Sequence, residues 1–286
     1  MKTFDTRIEP EQAAVEFFRE RYHEARVLFL AGSVLRGEGT PTSDLDVVVV
    51  YEHLPNPYRE AFVHQGWPVE AFVHDSETLN YFISEREGRS GVPSLARMVV
   101  EGHEVPGPSV CSASLKRLAA KVIAAGPSSW SEEEAREMRY RLTDITDDIR
   151  HPRSDEELVA CGAQLYEWVA DFYCRSQKLW SARRKAIPPR LREIDPDFAA
   201  RFVQAFEQLF VAKRPELVIA LVEEVIRPCG GFLFDGYRQD APPDCRRPIK
   251  DIDEGDAASI RSHSHHSRAD PAIARRVDSA DSGARA

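Results

Sequence analysis

The chain has 286 residues, 42% of them hydrophobic and 30% charged, the profile of a soluble globular protein of one or two domains. Its 38 Lys plus Arg stand against 47 Asp plus Glu, a formal charge of −9. A protein that grips a phosphate backbone is normally basic, so handling of long nucleic acid is disfavoured. No hydrophobic run approaches the ~18–20 residues that span a bilayer, and the N-terminal MKTFDTRIEPEQ has no signal-peptide core. The five scattered cysteines form no C-x-x-C pair. No membrane partner, no zinc or disulfide framework and a cytoplasmic location are therefore expected.

In chain order, Pro10 opens a helix carrying Ala14, Val15, Phe17 and Phe18. Residues 26–31 (RVLFLA) read as a short strand, and 45–51 (LDVVVVY) as a strand buried on both faces. A helix is expected over 57–65, then a strand over 67–74 (WPVEAFVH), after which Asp75 caps a further helix. From about residue 112 the pattern turns helical: 112–125, 131–150, 155–180, 196–212 and 215–227, punctuated by Gly126-Pro127 and Pro188-Pro189. Leu158, Leu165, Val169 and Phe172 share one face of the third of these, as a bundle core requires. The expected class is α+β: a small mixed-sheet domain over 1–110, then an all-α helical bundle over 111–240. Residues 241–286 contain no aromatic residue, and their eight acids and eight bases cancel. That composition buries too little apolar surface to order itself, and a disordered tail is expected there.

Chemistry concentrates between the first two strands. Gly32 lets a backbone approach a ligand closely. Ser33 is expected at a helix N-terminus, where free N–H groups favour phosphate, and Arg36 adds a fork of donors to the same turn. Asp44 and Asp46, two apart at a strand start, point to one face. Such a pair needs a cation, and hard oxygen donors beside phosphate point to Mg²⁺. Glu70, a charge inside the strand 67–74, is the candidate third ligand.

The string from Gly32-Ser33 through Arg36-Gly37 to Ser43-Asp44-Leu45-Asp46 resembles the signature of the DNA polymerase β-like nucleotidyltransferase superfamily, in particular its bacterial small-substrate branch of kanamycin-type and minimal nucleotidyltransferases. The helical part resembles, more loosely, the bundle of the kanamycin-type enzymes. The resemblance implies ATP or another NTP as donor, held by Gly32, Ser33, Arg36 and Ser43. It implies two Mg²⁺ ions on Asp44, Asp46 and Glu70, and a nucleoside monophosphate (AMP first among them) passed to a hydroxyl of a small, possibly antibiotic-like molecule with release of pyrophosphate. In such enzymes a general base often comes from the helices. Here Asp144, Asp147, Asp148, Glu167 and Asp171 are the candidates, with Glu167 preferred, and Lys178 and Lys185 are candidate phosphate contacts. A homodimer is compatible with this reading. The alternative is a module that adenylylates a partner protein or binds a nucleotide for regulation.

Overall fold

The computed structural model describes residues 7–242 and Cys245, so all but three residues of the 241–286 segment lie outside the described residues. The described residues 7–237 belong to one compact unit.

Helix α1 (Pro10–Arg21) precedes five strands: β1 (Val27–Ala31), β2 (Leu45–Tyr51), β3 (Tyr58–His64), β4 (Trp67–Asp75) and, after several helices, β5 (His103–Val105). They form one sheet of order β3-β4-β2-β1-β5. Only β2 and β4 pair in parallel; the other three pairings are antiparallel. The mixed sheet expected from the sequence is present, with β2 at its centre. The valine run shows why. Val47 and Val49 pack with Ala14 and Phe17 of α1, while Val48 and Val50 face Leu79, Ile83, Ala96 and Val99 on the opposite side. A strand covered on both faces has no polar side to show, hence four consecutive valines.

That second face is covered by α2 (Ser76–Tyr81), a π-helical turn (Phe82–Arg86), α3 (Glu87–Ser90), α4 (Ser94–Glu101) and α5 (Val110–Ala125). Asp75 caps α2 as expected, its carboxylate accepting the Thr78 N–H at 2.9 Å. Helix α5, assigned by sequence to the bundle, lays Leu115 and Ala119 on the sheet. The bundle is built from α6 (Glu132–Arg150), α7 (Asp155–Ser176), α8 (Ile187–Ile194), α9 (Pro196–Ala212) and α10 (Glu216–Ile226). Leu158, Leu165, Val169 and Phe172 are all in its core.

Three expectations are corrected. Residues 57–65 are not a helix but strand β3. Tyr58, Glu60, Phe62 and His64 alternate with their neighbours, and Phe62 meets Phe17 edge-on at 5.6 Å. Gln65 and Gly66, both at positive φ (47° and 80°), make the two-residue turn into β4, the turn type whose twist suits a hairpin. Pro188 and Pro189 do not separate helices; they sit in the first turn of α8, where a missing N–H costs nothing. Helix α7 ends at Ser176 rather than 180.

Arg175 joins the two halves of the unit. Its guanidinium donates to the Arg89 and Ser128 carbonyls at 3.0 Å each and lies 5.0 Å over the Trp130 ring. The Ser181 N–H donates to the Gly91 carbonyl at 2.8 Å, and the Trp180 indole to that of Ile123 at 2.8 Å. These bonds fix the chain that leaves α7 against the elements that cover the sheet.

Candidate active site

Asp46 is the second residue of β2. In the register it stands beside Glu70 on parallel β4 and opposite Ala31 on antiparallel β1. Parallel neighbours in register project to the same face, so the two acids lie side by side on the face that carries Val48 and Phe72. Asp44, just before the strand, completes the group: one carboxylate oxygen from each of Asp44, Asp46 and Glu70 lies within 4.8 Å of the others. All three are half-buried. Burial, with the like charges of Asp44 and Glu70, pushes the Asp46 carboxyl up to about 6; Lys185 and Arg36 act on it in the opposite sense. Three converging carboxylates, with hard oxygen donors only, fit a divalent cation such as Mg²⁺.

Gly32 is dictated by this arrangement. It follows β1 directly, has φ of 93°, and a Cβ there would sit 2.5 Å from Asp46 Oδ2. The glycine is what leaves room for the carboxylate. Residues 33–37 then make turns rather than the helix start expected: the Gly37 N–H donates to the Val34 carbonyl at 3.1 Å and that of Glu38 to Ser33 at 2.9 Å. Val34 and Leu35 pack on the α1 side of the sheet, which anchors the turn and spends the segment's apolar residues before a helix can form.

The Ser33 hydroxyl is half-buried, 3.5 Å from that of Ser43. Ser43 is buried, its Oγ accepting the Thr40 N–H at 2.8 Å, and its carbonyl accepts from Arg7 at 3.4 Å. Ser43 therefore holds the loop that delivers Asp44. The Arg36 guanidinium is shared by Glu38 at 3.0 Å and Glu101 at 3.6 Å, and is half exposed.

The helical candidates divide. Asp144, Asp147 and Asp148 are exposed on α6. Asp171 is half-buried on α7; burial raises its carboxyl, and the Ser181 hydroxyl, Arg175 and Arg183 counter that. Glu167, one turn earlier, accepts the Arg184 N–H at 3.3 Å and pairs with Arg183 at 3.7 Å. It thus secures the exposed turn Arg184–Ala186, whose Lys185 acts on Asp46. Lys178 is elsewhere, closing α7 with φ of 60° and its N–H on the Arg175 carbonyl at 3.0 Å.

A residue missed by sequence reading is Arg59 on β3. It is ion-paired to Glu70 and lies 5.0 Å over the Phe72 ring. Reading 57–65 as a strand would have found it, because Ala61 pairs with Glu70 and Arg59 is two residues along on the same face.

The family described as Nucleotidyltransferase domain matches residues 12–88, a span that includes Gly32, Ser33, Asp44, Asp46, Arg59 and Glu70. Over that segment the chain is similar to nucleotidyltransferase domains. Among solved structures, the chain is similar to the nucleotidyltransferase-like protein from Exiguobacterium sibiricum 255-15, with 14% identity over 76% of this chain and 74% of that one and a TM-score of 0.40. No curated protein matches the chain. Among the described residues, no helix is long and apolar enough to cross a membrane.

Proposed function

We propose that the protein is a Mg²⁺-dependent nucleotidyltransferase of the small-substrate, kanamycin-like kind, which moves AMP from ATP to a hydroxyl of a small, antibiotic-like molecule. The observation that carries this reading is the adjacency of Asp46 and Glu70 in the β2–β4 register with Asp44 beside them, above a glycine whose Cβ the carboxylate would exclude.

Asp44, Asp46 and Glu70 would hold the metal ions. Two Mg²⁺ ions, when bound, supply Lewis-acid stabilisation of the attacking and leaving oxygens. Ser33 and Arg36 hold the triphosphate from the sheet side. Lys185 holds it from the helical part, a reading supported by the effect of its charge on Asp46. Glu167 takes the proton of the acceptor hydroxyl. The acceptor oxygen then bonds to the α-phosphorus, the bond from that phosphorus to the β-bridging oxygen breaks, and pyrophosphate leaves. Residues 1–110 supply the three carboxylates, Ser33 and Arg36, and 111–240 supply Lys185, Glu167 and the acceptor wall.

The test is label transfer from each α-labelled NTP, with Mg²⁺, to a panel of aminoglycosides, lincosamides, neutral sugars and proteins. Label is expected on a hydroxyl compound, and Asp46→Asn is expected to abolish the transfer. The fold of that variant is expected to stay intact, as circular dichroism would show, because an amide relieves the charge crowding at the triad. Label on protein alone would replace the small-molecule reading with protein adenylylation. Full turnover by Asp46→Asn would remove the metal assignment.

A further inference from the structure

Of the three carboxylates, Glu70 is the one already engaged by a cation of the protein's own. The Arg59 guanidinium pairs with Glu70 Oε1. Both residues stand on one face of the β3–β4 hairpin, on a diagonal set by the register in which Ala61 opposes Glu70 and Arg59 opposes Phe72. Arg59 is on the sheet's edge strand. Its side chain is 62% exposed against 24% for Glu70, so it reaches in from solvent while the carboxylate is held by the sheet. The Phe72 ring, 5.0 Å beneath the guanidinium, supplies a second contact that orients it. Among the described residues, no ion pair joins a lysine or arginine to Asp44 or Asp46.

We infer that Arg59 is a built-in competitor for the metal at Glu70: its guanidinium neutralises that carboxylate in the metal-free protein and swings into solvent when Glu70 turns to a metal ion. This rests on the reading of Asp44, Asp46 and Glu70 as a metal centre. The physical sense of the device is in the burial. Three half-buried carboxylates without a cation repel one another, and a guanidinium on one of them lowers that cost. An exposed ion pair is weak enough for a divalent ion to displace. Removing it should therefore favour the metal-bound state modestly rather than create or destroy the site.

The experiment is titration with Mn²⁺, without nucleotide, followed by electron paramagnetic resonance of the free ion, on the full chain and on Arg59→Gln, Arg59→Lys and Arg36→Gln. Arg59→Gln is expected to bind Mn²⁺ about threefold to fivefold tighter than the unaltered protein, the span of an exposed ion pair. Arg59→Lys should fall between, since a lysine keeps the charge but not the fork. Arg36→Gln controls for the general loss of a positive charge near Asp46, and it should tighten binding by less than about half as much as Arg59→Gln. Unchanged or weaker binding by Arg59→Gln, or equal tightening by Arg36→Gln, overturns the competitor role while leaving the metal centre standing. If the unaltered protein and Arg59→Gln both fail to bind Mn²⁺ at millimolar concentration, the metal centre falls and the competitor role with it.

Discussion

At the scale of single residues, the site is a problem of space as much as of charge. Asp46 has room only because residue 32 lacks a Cβ and adopts φ of 93°, a region that other residues enter at a cost. Gly32→Ala brings both penalties together, and the methyl group presses on Asp46 Oδ2. The expected result is a loss of at least about a hundredfold in kcat/KM, the usual effect of a displacement near 1 Å in a reacting group. Because Gly32 is at the edge of the sheet's core rather than inside it, Tm should move far less than activity. Steady-state kinetics beside thermal melts check the split; parallel losses in both would mean that the glycine serves the fold rather than the carboxylate. Ser43 teaches the same lesson in reverse. Its hydroxyl is consumed by Thr40 and its carbonyl by Arg7, so its part in the motif is to shape the loop.

At the scale of elements, helix α4 has an N-terminal partner drawn from another element. The Glu87 carboxylate accepts the N–H groups of Leu95 and, at 3.1 Å, Ala96, which are free donors of the first turn. Burial nevertheless pushes the Glu87 carboxyl up to about 7. Between its ordinary value of 4.5 and 7 the folded protein then holds a proton that the unfolded chain has released. Stability therefore falls as pH rises through that window, by about 1–3 kcal/mol from this group. Glu87→Gln, neutral throughout, should flatten that part of the stability curve; urea unfolding at pH 4.5 and 7.5 measures it, and an unchanged slope would assign the dependence to other groups. This cap was not legible in the sequence, because a carboxylate seven residues before its helix matches no local capping pattern. What was legible followed local rules. The valine run gave β2, Asp75 the start of α2, and the spacing of Leu158, Leu165, Val169 and Phe172 a bundle helix. The pairing of Asp44 and Asp46 followed from strand period, and Glu70 from a charge where a strand should have none. Strand β3 was lost because Gln-Gly is a weaker hairpin signal than Asn-Gly, and Arg59 was lost with it. The 33–37 turns were missed because their anchor, Val34 and Leu35 against the α1 side of the sheet, is a tertiary contact.

At the scale of the whole unit formed by residues 7–237, the helices do more than enclose a second core. Arg175, only 6% exposed, is bonded to carbonyls from the end of α3 and from the segment before α6. It thereby fixes the end of α7 and the chain that leaves it. That chain leads to Arg184–Ala186, pinned in turn by Glu167 through Arg183 and the Arg184 N–H. The result is an exposed lysine, Lys185, held where it acts on Asp46 of the sheet. Asp144, Asp147 and Asp148, like Lys185, are exposed. On the proposed reading Lys185 is the positive charge that the helical part brings beside Glu167, and it suits the phosphates of the donor. Lys185→Gln should raise the KM for the nucleoside triphosphate about fivefold to tenfold, the span of one partly screened charge–charge contact. It should leave Mn²⁺ binding in the absence of nucleotide unchanged or slightly tighter, since a cation near Asp46 opposes the metal. Raised salt should shrink the difference between the unaltered protein and the variant, because the contact is exposed. Calorimetry with a non-hydrolysable triphosphate, at low and high salt, separates this from an effect on the acceptor. An unchanged affinity for the triphosphate, with KM for the acceptor altered instead, would place Lys185 on the acceptor side of the cleft.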